Sequence, residues 1–426
     1  MKTLSVSKDR LYIIYYLALL ILMFLLMQPN ANISMPIRVG LFGLTFLPVI
    51  FRINLLPFAF LCFYGISSSS FSVILPTSVE FYLIIVLVFY FLNSKKSKFL
   101  RGALLLFAYF FICSLLHLDL TNIILWWLVY ILLADMINSK KDLQMIFYAF
   151  LIISLFLSVL FLVYRDAFVS NYGNAELDVE RSGWINPNVF GAAIGAGGVL
   201  ALAYLTNFLK FEKTKFLTIS SLVVLLFSYL VLILNSSRGA LLAFAVPSVI
   251  MILLSKVKLW IKILLLFLTI GFTIILYQND FFNLLMVRLS EDNASSGGGR
   301  TDIWKIKLDL FFNQSNILEL LFGIGNMKTT ELGRYISTHN DIVTSLIGFG
   351  IVGFVLFLYY MLIFPIKLAN KKDRFYILSL TLYTFFEYCV LEPIFRALPI
   401  VMMFYLFVVR YVMIEKKSAS LKTLKS

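Results

Sequence analysis

Read for apolar and polar positions, the chain alternates long apolar runs with short polar breaks almost from end to end. The runs fall near 11–27, 37–51, 55–73, 80–92, 102–116, 120–137, 143–163, 188–208, 216–234, 239–255, 259–277, 341–363, 374–391 and 397–413. A helix crosses a bilayer in roughly 17–25 residues, so most of these runs are of spanning length and the pattern predicts an all-α polytopic membrane bundle of about 12–14 helices. The runs near 37–51, 80–92 and 102–116 are shorter, and 37–73 also reads as a single re-entrant hairpin.

Two polar breaks are long, about 164–187 and about 278–340. Connections of this length in a compact protein are functional or disordered. The second has internal pattern. It opens with the flexible "SEDNASSGGGR" and continues as "TDIWKIKLDLFF", in which Ile303, Trp304, Leu308 and Phe311 follow helical spacing while Asp302, Lys305 and Asp309 fall off that face. This predicts a short helix lying at the membrane surface, with Asp302 favoured by the helix dipole in the first turn. "GIG" at 323–325 then supplies a turn before the next span.

Composition removes the soluble alternative. The chain is 61% hydrophobic and only 14% charged, too little polar surface to cover a soluble globule. The first run follows a basic segment but no small-residue cleavage site follows it, which predicts a retained helix rather than a signal peptide. Cys62, Cys113 and Cys389 all fall in apolar runs, where cysteine packs as a small apolar residue, and they imply no disulfide framework.

Lysine and arginine set the expected orientation. With the N-terminus cytoplasmic, the inner segments collect most of the 36 basic residues, in clusters such as Lys95/Lys96/Lys98/Arg101, Lys210/Lys213/Lys215, Lys256/Lys258/Lys262 and Lys367/Lys371/Lys372/Arg374. The positive-inside rule then puts both termini in the cytoplasm and 278–340 outside. Anchoring against anionic lipid accounts for the net charge of +14 and no nucleic-acid partner is implied.

The outer segments hold the candidate chemistry. Arg238, in "LNSSRGALLAF", sits in a turn so short that its cation lies at the membrane boundary, where it needs an anion, a water-filled cavity or the headgroups. Arg300 follows three glycines and opens the predicted surface helix, a placement suited to phosphate oxygens; the glycines also read as a plain hinge. Arg181 and Arg288 are further substrate-binding candidates in the same two loops. His339, in "YISTHND", is one of two histidines, and either a structural hydrogen bond or proton transfer suits it. The other, His117, reads as structural, and the intramembrane acids Asp135 and Glu387 read as bundle-facing polar groups rather than catalysts. The outer acids Asp178, Glu180, Glu291 and Asp292 show no spacing that argues for a metal.

Four strings occur in order: "NSSRGALLAF", "GGGRTDIWKIKLDLFF", "LLFGIGN" and "STHNDIVTSLIGFGIVGFVLFL". Together they resemble the shared domain of O-antigen ligases and O-antigen polymerases over about 188–366, with "RSGWINPNVFGAAIG" resembling the segment that precedes it. The resemblance implies a bundle like the GT-C-type glycosyltransferases, divided as 1–187, the family domain 188–366, and C-terminal spans and tail 367–426. It implies a cofactor-free and metal-independent glycosyltransferase of the cytoplasmic membrane, acting at its extracytoplasmic face on polyprenyl-diphosphate-linked glycans. Arg238 and Arg300 correspond to the family's diphosphate-binding arginines and His339 to its catalytic histidine, a general base in the reading adopted here. Arg181 and Arg288 have no secure counterpart. The expected partners are the lipid-linked donor and acceptor and the bilayer, with a flippase and a chain-length regulator among candidate protein partners. A polymerase is favoured by the span count and the second charged loop; a ligase to lipid A core or another acceptor is the alternative. A lipid-linked sugar transporter is the third reading, disfavoured because the chain shows no internal repeat and its polar candidates gather at one surface.

Overall fold

The computed structural model describes residues 2–27, 33–69, 79–93, 108–109, 111–113, 122–164, 187–235, 237–260, 262–263, 300–324, 340–390 and 399–423. Every regular element among them is helical. In chain order these are α1 (Lys2–Leu26), α2 (Met35–Phe51), α3 (Ile53–Ser68), α4 (Val79–Leu92), α5 (Asn122–Asp135), α6 (Lys140–Val163), α7 (Pro187–Leu205), α8 (Lys215–Leu234), α9 (Arg238–Leu254), α10 (Arg300–Gln314), α11 (Ile317–Phe322), α12 (Asp341–Leu368), α13 (Arg374–Val390) and α14 (Pro399–Thr423). Among the described residues four helices are long and apolar enough to cross a membrane, α6, α8, α12 and the Asn188–Leu205 part of α7, and α2, α3 and α9 are among the shorter apolar ones. The protein is thus a polytopic helical membrane protein. The runs expected near 102–116 and 259–277 lie mostly outside the described residues. The described part of the 37–73 stretch, 37–69, forms two helices that break at Arg52.

The element ends follow local chemistry. α6 starts in a capping box: the Ser139 hydroxyl accepts from the Asp142 N–H, and the Asp142 carboxylate accepts from the Ser139 N–H. Pro48 inside α2 has no N–H to give the carbonyl of Leu44. The Tyr15 hydroxyl of α1 donates to that carbonyl at 2.7 Å, so a packing neighbour replaces the bond that the ring removed.

The core is centred on α7, whose residues from Phe190 to Leu200 are all buried. Its small residues let neighbours approach: a Cβ at Gly197 would lie 2.3 Å from the Ser154 Cβ of α6, and one at Gly198 2.8 Å from Ser228 of α8. Ser154 and Ser228 both donate to the Ile194 carbonyl, at 2.9 and 3.2 Å. Small residues with interhelical hydroxyl bonds are a common device for packing helices in lipid, where apolar contact alone gives little preference for protein over solvent.

One end of the bundle gathers charge. Arg410 of α14 donates through Nε to the Ile137 carbonyl at 3.0 Å, Lys140 pairs with Glu415 at 2.8 Å, and Lys210 pairs with Asp373 at 2.9 Å. Basic segments far apart in sequence and expected on one side therefore share one end.

The α12 helix is bent where Gly350 takes φ +66°. The bend takes the carbonyls of Ile347 and Phe349 out of the helical ladder, and other elements use them: the Ile324 N–H donates to Ile347 at 3.0 Å, and the Tyr109 hydroxyl to Phe349 at 2.9 Å. A Cβ on Gly350 would lie 2.4 Å from the Leu321 backbone, and one on Gly323, also at positive φ, 2.2 Å from the Gly348 oxygen. Gly350→Ala is expected to lower the melting temperature of the detergent-solubilised protein by the equivalent of about 1–3 kcal/mol. An unchanged melting curve would show that the bend tolerates a side chain.

Candidate functional site

The site is built at the end of the bundle opposite the charge cluster. Ser237 caps α9, accepting from the Ala240 N–H at 3.4 Å, and its hydroxyl donates to Asn188 Oδ1 at the start of α7 at 2.5 Å. The "NPN" and "NSSRG" strings are thus joined directly. A Cβ at Gly191 would sit 2.5 Å from the Ala240 Cβ, so the glycine lets the starts of α7 and α9 touch. Arg238 is the first residue of α9. Its neighbour Gly239 lies against Val390 at the end of α13, where a Cβ would come within 2.0 Å of that side chain.

The same end of α13 meets the start of α12. Asn340 caps α12, its Oδ1 accepting from the Ile342 and Val343 N–H groups at 2.9 and 3.2 Å. Asp341 is fully buried in the first turn, and its carboxylate is within electrostatic reach of Tyr388 and Cys389. α13 therefore has the start of α9 on Val390 and the start of α12 beside Tyr388 and Cys389. Two helix N-termini, each with the positive end of its dipole, converge on one turn.

The long loop adds a third helix start. α10 packs onto the first half of α12 through a small core of Phe311, Ile324, Val343 and Ile347, flanked by Trp304, Leu308, Leu320 and Leu346. The face predicted from sequence is the one used, and Asp302, Lys305 and Asp309 are exposed as expected. Arg300 is the first residue of α10. α11 begins in a capping box between Asn316 and Glu319 and ends at Gly323, the turn expected at "GIG".

Of the residues singled out in the sequence, Arg238 and Arg300 are helix-first positions brought to the α9–α12–α13 end and to the helix packed on α12. His339 directly precedes the α12 cap and itself lies outside the described residues, as do Arg181, Arg288 and His117. Two residues of this end escaped the sequence reading. Asn340 was legible as an N-cap, a polar residue before an acid and an apolar run. Lys307 is only 3% exposed on the α12-facing side of α10, although nothing in its sequence neighbourhood distinguishes it from the exposed Lys305. Among the described residues no group of three His, Cys, Asp or Glu side chains is placed to hold a metal ion. Cys62 and Cys113 are buried free thiols, and Cys389 is a partly buried one.

The two intramembrane acids differ. Asp135 accepts from the Tyr90 hydroxyl at 2.9 Å and lies within electrostatic reach of Arg410. Glu387 is fully buried on α13, four residues after Tyr383, whose hydroxyl donates to the Ala192 carbonyl and lies beside the Glu387 carboxyl.

The starts of α7, α9 and α12 thus share one end of the bundle, with α10 and α11 packed there on α12. The family model described as O-antigen ligase matches residues 221–358, from within α8 to past the α12 bend, and over that stretch the chain is similar to the O-antigen ligase and polymerase superfamily. The match spans the strings holding Arg238, Arg300 and His339; the "RSGWINPNVFGAAIG" segment lies before it. No curated protein matches the chain.

A buried carboxyl whose polar neighbour, the Tyr383 hydroxyl, already donates elsewhere costs stability that an apolar group of similar size does not, about 1–3 kcal/mol. Glu387→Leu is therefore expected to raise the melting temperature in detergent. A fall would mean that the carboxyl holds the helices together.

Proposed function

We propose that the protein is a glycosyltransferase that polymerises polyprenyl-diphosphate-linked oligosaccharide repeat units into a surface polysaccharide, such as O-antigen or capsule, at the extracytoplasmic face of the cytoplasmic membrane. The observation that carries this reading is the convergence of the Arg238 and Asn340 helix starts on α13, with the Arg300 helix packed on α12; positions 238, 300 and 340 all fall within the matched family region. Support for polymerase over ligase comes from the number of apolar runs and from the second charged loop, 164–187. The alternative is the ligase reading, transfer of the finished glycan to lipid A core or another acceptor, which the matching O-antigen ligase family also suits.

The chemistry follows from the residue types. An acceptor hydroxyl loses a proton as it attacks the anomeric carbon, and the imidazole of His339, with an ordinary pKa near 6.5, takes it. The carbon–oxygen bond to the lipid diphosphate breaks, and the leaving diphosphate gains negative charge. Arg238 and Arg300 bind that charge; removal of one such group typically costs about 2.7–4 kcal/mol of barrier. Two helix N-termini at the same end add a field of the same sign.

His339→Gln keeps a hydrogen-bonding side chain but cannot carry the proton. It is expected to accumulate normally and to lose transfer by roughly a hundred- to ten-thousand-fold, read as glycan length in a strain complemented with the variant. Long glycan from this variant would remove His339 as the base and make Asp341 the next acid to test. The glycan profile of a strain lacking the protein separates the two activities: single repeat units on the final acceptor indicate a lost polymerase, and long chains stranded on the carrier a lost ligase.

The orientation is tested by labelling single cysteines in a background cleared of Cys62, Cys113 and Cys389. A membrane-impermeant maleimide is expected to reach Ser295→Cys from outside the cell and not Lys371→Cys. The reverse result would invert the topology.

A further inference from the structure

We infer that α11 is a membrane-docking element whose exposed apolar face enters the leaflet at the loop end of the bundle, a property that does not depend on the roles proposed for Arg238, Arg300 and His339. The occupant of the face is lipid, the upper part of the acyl chains.

The residues of α11 divide into two faces. Ile317, Leu318, Leu321 and Phe322 fall within about 140° of arc at 3.6 residues per turn, and they are 73, 64, 37 and 42% exposed. Leu320 points the other way, towards the core of Phe311 and Ile347, and Glu319 is held at the cap, where its carboxylate accepts from the Asn316 N–H at 3.0 Å. The exposed face therefore carries no charge. A contiguous apolar face of this kind is costly in water and marks a contact with a partner or a membrane. α10 does not offer a comparable face: Trp304, Leu308 and Phe311 are occupied by α12, and Asp302, Lys305 and Asp309 are exposed on the opposite side. The apolar surface free to meet lipid is on α11.

Depth selects lipid as the occupant. α11 is held by backbone at the bend of α12: the Ile324 N–H donates to the Ile347 carbonyl at 3.0 Å, and a Cβ on Gly350 would lie 2.4 Å from the Leu321 backbone. The part of α12 beyond the bend, 351–368, is about 27 Å long, close to the ~30 Å thickness of the hydrocarbon core, and it ends just before Lys371 and Lys372. With that basic end at one membrane boundary, the bend and α11 stand at the other. Ile351 and Val355, 42% and 57% exposed, carry apolar surface onward along α12 from the bend. An apolar helix face at this level lies where interfacial helices dock, about 5–10 Å into the boundary between headgroups and acyl chains.

The test uses full-length protein cleared of Cys62, Cys113 and Cys389, in single-copy nanodiscs of phosphatidylcholine without polyprenyl lipid. A bimane label is placed on Ile317→Cys or, separately, on Leu318→Cys; both side chains are largely exposed, so neither change disturbs the packing. Asp309→Cys, on the charged face of α10, is the control. Labels at 317 and 318 are expected to be quenched by lipid with a doxyl group near the ester end of its chain, more than by lipid with the group near the methyl end, and to lose most of the iodide quenching seen at 309. Iodide quenching at 317 and 318 equal to that at 309 would place the face in water and overturn the inference. Protection from both quenchers would overturn it by assigning the face to a contact within the chain. Lipid quenching that is absent in single-copy discs, with iodide protection that appears only in two-copy discs or on addition of a polyprenyl diphosphate, would assign the face to a second copy or to the substrate chain. The unaltered protein supplies a second readout through a lipid with a diazirine in its acyl chain. Adducts on 317–322 are expected beside those on Ile351 and Val355, and adducts confined to α12 would overturn the inference.

Discussion

In hydrocarbon every backbone N–H and C=O must find a partner within the protein, and the bend at Gly350 is where this constraint shapes the site. A straight α12 would satisfy its own ladder and offer nothing to the loop. The bend instead releases carbonyls, one of which is taken by the Ile324 N–H just after α11. The loop helices are thereby tied to a spanning helix by backbone, not only by side-chain contact. Gly323 and Gly350 are both at positive φ, and a methyl group on either would meet backbone of the other segment. The placement of α10, and with it position 300, depends on this contact and on the small apolar core beside it.

A second junction fixes the other helix starts. Gly191 against Ala240 and Gly239 against Val390 leave no slack between α7, α9 and α13, and the Ser237–Asn188 bond closes the same corner. Because α13 also borders the first turn of α12 through Tyr388 and Cys389, positions 238 and 340 are referred to one rigid turn. Catalytic groups displaced by about 1 Å lose rate steeply, which is why close glycine packing beneath a reactive end has functional value and not only structural value.

The apolar pattern exposed most of the fold because a helix in lipid must be apolar over much of its length: the ends of α6, α8, α9 and α13 fall within a few residues of the runs read from sequence. The face of α10 was legible for the same reason, through the spacing of Trp304, Leu308 and Phe311. The bend in α12 was not. "IGFGIVG" contains three glycines, and nothing local says that Gly350 rather than Gly348 or Gly353 takes positive φ; that is decided by Leu321 and Gly323, distant along the chain. Of the candidate site, Arg238 and Arg300 were legible as cations at breaks in the apolar pattern. The burial of Lys307 was not legible, because a lysine amid alternating charge reads as solvated until the packing of the helix is known.

Charge is handled in opposite ways at the two ends of the bundle. At the basic end, Lys140 meets Glu415, Lys210 meets Asp373 and Arg410 meets the Ile137 carbonyl, so cations have partners supplied by the fold. At the other end Asp341 and Lys307 are buried on neighbouring helices, and the Glu387 carboxyl is buried beside a Tyr383 hydroxyl that donates elsewhere. A sequence selected for stability alone would replace such a carboxyl with leucine, because buried polar groups short of hydrogen bonds destabilise and apolar ones of the same shape do not. The asymmetry matches a division of labour in which one end anchors the bundle and the other is kept polar for a ligand. Ionisable groups are costly inside a membrane, and those buried at this end are the ones that the proposed function would use.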